Sequence, residues 1–479
     1  MGRFLKSILW LFPLQIFLSA APCHAADAGT LDMGSHLGLW TVIPFTAMLL
    51  AIAMMPIFAP HWWERNLNKT VLTSLLALPI AAYVIVAWGH SGVELIADKV
   101  KEYLSFMVLL ATLFVIAGGI YVQGSLSGTP LLNSGILAFG ALLSNAIGTT
   151  GASVLLIRPL LRANIPRERK AHIVVFFIFM VSNCGGLLTP LGDPPLFLGF
   201  LKGVPFEWTL RLWREWLLVN GILLVMFNIW DQVVFDWEER VRPGSQLEEV
   251  QKHEPLRVDG LLNLVFLLGV LVTIYASGRG LGTRGEPWPF GAQEGIMLAL
   301  AVGAYTSTSP VNRARNKLTW GPIVEVAVLF AGIFVTMAPA LLILNAWGQG
   351  HRSVLGFDFG LTQPWQFFWM SGSLSSFLDN APTYLTFSAT ACGLTGLPVE
   401  GRYLGSLLDH AGGGELLAAI ACGAVFMGAN TYIGNGPNFM VKAIAEENGV
   451  SMPGFFGYMS YSACILLPIF ALVTVVFFA

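Results

Sequence analysis

The sequence predicts an all-α polytopic membrane protein made of two inverted-topology repeats, each with a re-entrant hairpin and a broken helix. The chain has 479 residues, of which 55% are hydrophobic and only 11% are charged, and its mean hydropathy is +0.69. Apolar runs of about 20 residues recur along it, which is the length an α-helix needs to cross the hydrocarbon layer. Apolar segments interrupted by Gly and Pro also stand at corresponding places in the two halves, a pattern typical of inverted-repeat membrane proteins.

Composition and charge exclude several classes of function. A net charge of -2 provides no basic face for nucleic acid, and no nucleotide-binding motif occurs in a suitable context. The sequence contains no clustered acid, base and nucleophile, so we expect neither an enzyme nor a bound cofactor. Energy for any active process would have to come from an ion gradient or from a partner protein.

The first 25 residues are predicted to be a signal peptide. Arg3 and Lys6 precede an apolar run, and Cys23-His24-Ala25 follows it, an imperfect match to the small residues of a cleavage site. The alternative is an uncleaved first helix, because Pro13 interrupts the run. Three units follow the signal peptide: a first repeat at 26–235, a charged cytoplasmic linker at 236–259, and a second, inverted repeat at 260–479.

Each repeat is predicted to contain the same elements in the same order. The first repeat has spans at 37–59, 70–89 and 104–124, a hairpin at 130–157, an interrupted helix at 171–201, an interfacial segment at 206–216 and a span at 217–231. The second repeat has spans at 260–277, 291–309 and 322–346, a hairpin at 365–391, an interrupted helix at 415–445 and a span at 455–478. This layout amounts to about 10 spanning helices plus two hairpins.

Charge along the loops predicts the orientation. With residue 27 outside, the inside loops carry more Lys and Arg than the outside loops, including the basic segment 158–170. This bias is typical of multi-pass proteins of the bacterial inner (cytoplasmic) membrane. We therefore expect the chain to lie in that lipid bilayer with its mature N-terminus outside.

An unusual polar stretch lies in the second predicted hairpin. Asp379, Asn380 and Thr383 are surrounded by Phe, Leu and Ala, and Pro382 frees backbone groups that cannot stay unpaired in lipid. A carboxylate at membrane depth is costly and by default marks a functional pathway. Similar stretches recur in the first hairpin and in both interrupted helices. Together they supply the candidate site residues: Asn145, Thr149, Asn183, Asp193, Asp379, Asn380, Thr383, Asn430, Thr431 and Asn435.

These residue types suit a small hard cation. Such ions prefer about six oxygen ligands from carboxylates, amides, hydroxyls and backbone carbonyls, and we place a sodium ion at Asp379, Asn380 and Asn145 as a hypothesis. Burial favours the neutral form of a carboxylic acid, so a proton would compete with sodium or lithium for the same oxygens. Asp379 is our first candidate for the proton carrier and Asp193 the second.

Structural roles are the alternatives. Asp193 could instead cap the helix that begins after it, and Asp379 could pair with a Lys or Arg elsewhere in the chain. The Asn residues could do no more than satisfy backbone groups freed at helix breaks. Their presence at corresponding places of both halves argues against a purely structural role for all of them.

Two motifs carry a resemblance to a known family. The segments 182–195 (SNCGGLLTPLGDPP) and 378–383 (LDNAPT) resemble signature segments of the ion transporter superfamily, in its sodium/proton antiporter (NhaD-like) and citrate-transporter-like branch. The resemblance implies two inverted repeats and a homodimer formed through a scaffold. It also implies cation ligands at Asn145, Asn183, Asp379, Asn380 and Asn430. The sequence matches Asn145 with Asn380, which makes Ser144 the counterpart of Asp379. Ser144 departs from the pattern, because antiporters of this kind can carry an acid at that position.

Sodium (or lithium)/proton antiport is therefore the first hypothesis for the function. The alternative is sodium-coupled uptake of citrate or another carboxylate, since Ser, Asn and Thr at helix N-termini can hold an anion. Against it, Asp379 would repel a di- or tricarboxylate in a dry site. No Lys or Arg stands near the hairpin tips in the sequence to receive a carboxylate. Efflux of arsenite or another oxyanion is a third hypothesis, for which Cys184 is the one hint.

Overall fold

The described part of the chain is almost entirely helical. The computed structural model describes residues 29–123, 128–241, 257–284, 286, 288–316, 320–350 and 360–479. Within these residues, seven segments are helical, long and apolar enough to cross a membrane, and shorter apolar helices lie at Ala171–Leu187 and Leu262–Gly278. The predicted all-α polytopic fold is confirmed. The predicted signal peptide, residues 1–25, lies outside the described residues.

The first half follows the predicted order of elements. Its helices are α1 (Gly29–His36), α2 (Ile43–Phe58), α3 (Pro60–Trp63), α4 (Asn66–Gly118), α5 (Pro130–Ala163), α6 (Ala171–Met180), α7 (Pro194–Leu201) and α8 (Trp213–Val241). Short 3-10 turns lie at Leu39–Val42, Cys184–Leu187 and Phe206–Leu212.

The second half repeats that order. Its helices are α9 (Leu262–Gly278), α10 (Ala292–Ser307), α11 (Pro310–Arg315), α12 (Gly321–Gly348), α13 (Pro364–Ser375), α14 (Asn380–Leu394), α15 (Tyr403–Asp409), α16 (Gly413–Met427), α17 (Gly436–Glu447) and α18 (Phe455–Val473). A 3-10 turn at Gly428–Asn430 follows α16, and a π-helical turn at Thr474–Phe478 ends α18.

Helix α4 joins two spans that the sequence predicts as separate, at 70–89 and 104–124. The joint is a sharp kink at Gly89, whose φ of +55° is a conformation that residues with a side chain rarely adopt. The charged stretch after the kink was predicted to lie between spans, but Glu and Lys are good helix formers. The helix therefore resumes at once, and it ends at Gly118 rather than at residue 124.

Within the described residues, one two-stranded antiparallel β-ribbon connects the two halves of the chain. Strand β1 (Tyr121–Gln123) pairs with β2 (Arg257–Asp259), with Val122 opposite Val258. The sequence predicts a spanning helix up to residue 124 and a linker at 236–259. In the structure, residues 121–123 form strand β1 instead of helix, and the end of the linker forms strand β2. Helix α8 also runs on to Val241, beyond the predicted span 217–231. Because the two strands are far apart in the chain, no local sequence pattern predicts their pairing.

Two long helices, one from each half, form a packed framework. Helices α4 and α12 lie side by side, and Phe106 stacks on Phe330 with ring centroids 4.9 Å apart. On the same part of α12, Glu325 Oε1 lies 2.7 Å from Lys69 Nζ, which belongs to the arm of α4 before the kink at Gly89. Helices α10 and α9 extend the framework, α10 against α4 and α9 against α10.

The hairpins and broken helices interlock across the two halves. Helix α14 packs on α7, and α17 packs on α5, while α13 and α14 both pack on α16. Each hairpin therefore touches the broken helix of the opposite half. This crossing arrangement brings the four interruptions of helix together in the middle of the protein.

Helix α7 is anchored to the framework at its far end. Lys202 follows α7 directly, and its ammonium group pairs with the carboxylate of Glu102 on α4. Lys99 Nζ lies 3.1 Å from the same carboxylate. The three side chains are nearly buried, so the pairs are shielded from water and hold the end of α7 to α4.

Candidate ion-binding site

Four breaks in the helices form the site. The first hairpin turns at Gly148, whose φ of +78° separates the two arms of α5. The first broken helix is interrupted between α6 and α7, at 181–193, and the second hairpin turns between α13 and α14, at 376–379. The second broken helix is interrupted at 428–435, between α16 and α17. Pro194 and Pro437 lie in the first turn of the helices that resume, where Pro costs no hydrogen bond.

Asp193 is the meeting point of the four breaks. Its side chain is 1% exposed, and Thr149 Oγ1 of the first hairpin donates to its Oδ1 at 2.9 Å. Asn380 Nδ2 of the second hairpin donates to its Oδ2 at 2.7 Å. Asn435 Nδ2 of the second broken helix lies 3.5 Å from Oδ1. One carboxylate from the first broken helix therefore collects a donor from each of the other three segments.

Within the part of the chain that the structure describes, the carboxylate of Asp193 has no positively charged partner. Among the described residues, no Lys, Arg or His nitrogen forms an ion pair with Asp193 or Asp379. The backbone contributes instead, because Asp193 stands at the N-terminus of α7, where the helix dipole favours negative charge. Asp193 makes no capping hydrogen bond there, so its side chain serves the site rather than the helix end.

Asp379 has a different environment. It is the N-cap of α14, and its Oδ1 accepts a hydrogen bond from Ala381 N at 3.1 Å. The residue is partly exposed, and it directly precedes Asn380, which contacts Asp193. In the structure, Asp193 is therefore the central carboxylate of the site and Asp379 lies beside it. From the sequence, Asp379 was the first candidate for the proton carrier and Asp193 the second.

A layer of amides joins the two broken helices behind Asp193. Asn435 Nδ2 also lies 3.1 Å from both Ser182 O and Asn183 Oδ1. Asn183 Nδ2 donates to Asn438 Oδ1 at 2.7 Å, and Asn438 Nδ2 donates to backbone carbonyls of its own break at 2.8 Å. Asn438 is one of the asparagines that the sequence marks at the helix breaks, but it was not among the ten candidate site residues.

Matching hydrogen bonds tie each hairpin to the broken helix of its own half. Thr189 Oγ1 donates to Asn145 O, and Thr431 Oγ1 donates to Ser376 O. Asn145 in the first half therefore corresponds to Ser376 in the second half, 231 positions later in the chain. The same offset makes Asn380 the counterpart of Thr149. The sequence comparison had matched Asn145 with Asn380. The counterpart of Asp379 is accordingly Gly148 rather than Ser144.

Several predicted ligands form hydrogen bonds with the backbone at or beside the helix breaks. Asn145 Oδ1 accepts from Leu188 N at 2.8 Å, and its Nδ2 donates to Ala141 O at 3.0 Å. Thr431 Oγ1 accepts two backbone N–H groups of the second break in addition to donating to Ser376. Thr383 Oγ1 bonds to Asp379 O within α14 at 3.1 Å.

Asn430 keeps one atom unpaired. Its Nδ2 donates to Ser376 Oγ at 2.9 Å, but its buried Oδ1 has no hydrogen-bond partner within the described part of the chain. Buried polar atoms normally have a partner. This oxygen is therefore available at the second break, as expected of a ligand position.

The site combines an acid with groups that can either donate or accept. The hydroxyl of Thr149 and the amides of Asn380 and Asn435 now direct hydrogen atoms at Asp193. Each of these groups also carries an oxygen, so rotation of the hydroxyl or amide would present an oxygen ligand instead. The arrangement can thus change from stabilising a lone carboxylate to binding a hard cation beside it.

The all-helical spanning fold and its polar centre, built at four helix breaks, define a polytopic membrane transporter. A family model described as "Putative citrate transport" matches residues 34–478. The chain therefore belongs to this family, which is part of the citrate transporter and ion transporter superfamily. The comparison with curated proteins gave no match.

Proposed function

We propose that the chain is a secondary active transporter that exchanges sodium or lithium for protons at the Asp193 site. The observation that carries the proposal is the buried carboxylate of Asp193, which is hydrogen-bonded by three neutral groups and has no basic partner among the described residues. A buried charge of this kind is costly unless it is neutralised. A proton or a small cation can neutralise it, and both would occupy the same oxygens.

Competition for those oxygens would couple the two ions. When Asp193 is protonated, its carboxyl group is neutral and the cation affinity of the site is low. When Asp193 is ionised, Thr149, Asn380 and Asn435 can turn their oxygens toward a cation. A site that carries either ion, but never both, exchanges one for the other once it opens alternately to the two sides.

Asp379 supplies a second acid next to this centre. It adjoins Asn380, so its ionisation would add negative charge close to the cation that Asp193 holds. We infer that Asp379 raises the cation affinity and takes part in proton exchange as the outer of two acids. In this proposal Asn183, Asn430 and Asn438 hold the breaks in register around the ion.

Sodium-coupled transport of citrate or another carboxylate is the second candidate. The family description favours it, and helices α7, α14 and α17 all begin at the site, where their N-termini would favour an anion. Against it stand two acids and the lack of an ion-paired Lys or Arg at the site in the described residues. A di- or tricarboxylate would need sodium ions between itself and these acids.

A transport assay separates the two candidates. The purified protein is reconstituted into vesicles with a trapped pH-sensitive dye, a pH gradient is imposed, and sodium, lithium or potassium is added. We expect sodium or lithium to dissipate the gradient and potassium to leave it intact. Labelled citrate is offered in parallel vesicles with a sodium gradient. Sodium-driven accumulation of citrate, without cation-dependent proton movement, would replace the first candidate by the second.

A further inference from the structure

A cavity of about 480 Å³ opens between the two halves, and none of the ion-site residues lines it. Its walls come from residues 168–172 at the start of α6 and from Trp230 and Val234 on α8. The second half contributes residues 449–451, after α17, and Tyr461 on α18. The cavity is large enough for a small ligand or a lipid headgroup.

Positive charge predominates in the wall. Arg169 and Lys170 contribute two positive charges, and Glu168 contributes one negative charge, which leaves an excess of one. Helix α6, ten residues long, begins at Ala171 and has no side-chain cap at its N-terminus. Its first backbone N–H groups and its dipole favour an anion at this end.

His172 adds an unpaired polar atom to the wall. Its side chain is 5% exposed, and its Nε2 lies 2.9 Å from Asp231 Oδ1. The other ring nitrogen, Nδ1, has no hydrogen-bond partner in the described residues, although the ring lines the cavity. Behind the ring, Asp231 and Glu238 share the single guanidinium of Arg167. The imidazole of His172 therefore lies between this buried acidic pair and the cavity.

The surface beside the cavity is suited to acyl chains. Val225, Ile229, Val233 and Trp237 recur every four residues on α8 and are between 43% and 64% exposed. They form a continuous apolar stripe that leads to the cavity wall at Val234. The guanidinium of Arg169 lies 3.9 Å from the ring centroid of Trp237. Trp together with Arg is typical of the level of lipid headgroups.

We propose that this cavity binds the phosphate group of an anionic phospholipid, whose acyl chains lie along the α8 stripe. Lys170, Arg169 and the N-terminus of α6 would hold the phosphate, and His172, Trp230 and Tyr461 would line the glycerol region. Basic pockets between spanning helices are suited to such headgroups. Because the wall joins α6 and α8 to the loop after α17, the lipid would also link the two halves.

The test measures the lipid that stays bound after purification. The full chain is reconstituted in vesicles of phosphatidylcholine with added phosphatidylglycerol, extracted gently, and analysed by native mass spectrometry. We expect one phosphatidylglycerol to be retained, and we expect Lys170→Glu to lower its retention at least about fivefold. Glu at the N-terminus of a helix is favourable, so this variant should fold. Lys170→Arg should retain the lipid, and Lys101→Gln, on α4 outside the cavity, serves as the matched control.

A second arm distinguishes the lipid from a soluble anion. Inorganic phosphate is added to the purified protein over a range of concentrations, and thermal stability and bound lipid are followed. We expect phosphate alone to stabilise weakly and not to displace phosphatidylglycerol. Equal retention of phosphatidylglycerol by the wild type and Lys170→Glu would overturn the proposal. Full displacement by inorganic phosphate would assign the cavity to a soluble anion and would overturn the lipid assignment.

Discussion

Asn380 Nδ2 donates a hydrogen bond of 2.7 Å to Asp193 Oδ2, across 187 positions of the chain. This bond connects the hairpin of the second half to the broken helix of the first. It places a neutral donor, rather than a base, against a carboxylate at the centre of a membrane protein. The proposed exchange depends on this pairing, because a basic partner would keep Asp193 ionised and occupied.

Removing the charge of Asp193 should abolish cation-dependent proton movement. Asp193→Asn keeps the size of the side chain but can neither release a proton nor neutralise a cation. We expect loss of at least about 100-fold in vesicles, with normal insertion. Asp98→Asn is the matched control, because Asp98 is exposed and pairs with Lys101. Exchange at the wild-type rate in Asp193→Asn would place the carrier elsewhere.

Asp379 can be tested separately for capping and for chemistry. Asn is also a good N-cap, so Asp379→Asn should change the free energy of unfolding little, whereas Asp379→Ala should lower it by about 1 kcal/mol. We expect both variants to lose at least about tenfold in exchange rate. Thermal unfolding and the vesicle assay measure the two effects. If Asp379→Asn exchanged normally and only Asp379→Ala failed, Asp379 would be a cap alone.

Thr149 should contribute to cation affinity through its hydroxyl. Thr149→Val removes the hydrogen bond to Asp193 at nearly constant volume, while Thr149→Ser keeps it. A hydrogen bond to a charged group is worth about 1.5–3 kcal/mol, so the apparent sodium constant should rise about tenfold or more in the Val variant. Sodium titrations of the exchange rate give this constant. Equal constants for the Val and Ser variants would remove Thr149 from the ligand set.

Asn145 should act mainly on stability. Asn145→Ala leaves Leu188 N, which is partly buried, without its partner at the first break, and an unpaired buried donor costs up to about 1–3 kcal/mol. We expect a lower unfolding temperature and a nearly unchanged apparent sodium constant. Thermal unfolding in detergent and sodium titration check the two parts. A large rise in the sodium constant at unchanged stability would return Asn145 to the predicted ligand set.

The buried pair of Arg167 and Asp231 should matter for folding. Their side chains are 1% and 0% exposed, and the nearest atoms lie 2.8 Å apart. Asp231→Ala leaves a buried guanidinium with less compensation, and such changes cost about 3–5 kcal/mol. We expect a strong loss of expression and of thermal stability. Glu207→Ala, in an exposed ion pair with Arg279, should have little effect.

Much of the fold could be predicted from the sequence because the membrane restricts the choices. Apolar length marked the spans, and Gly and Pro within polar stretches marked all four breaks. The kink at Gly89 and the ribbon at Val122 and Val258 were missed. Neither leaves a local signal, since one depends on a single positive φ within good helix formers and the other on pairing across the halves.

The site was predicted in composition but not in arrangement. All ten candidate residues lie at or beside the breaks, yet local pattern could not tell which carboxylate would be central. Asp193 reads as a turn residue in Gly-Asp-Pro-Pro, and its role depends on Thr149 and Asn380, which only the folded chain brings to it. The register between halves was likewise hidden, because Asn145 and Asn380 share a residue type but not a position.

Because the described residues place no ion-paired Lys or Arg beside the two acids, the proposed mechanism has an electrical consequence. Emptied of ions, such a site would carry two negative charges, and one sodium ion would leave one of them uncompensated. If both acids load a proton on the return step, each cycle moves net charge across the bilayer. Voltage would then drive the exchange, contributing about 2.3 kcal/mol per elementary charge at 100 mV.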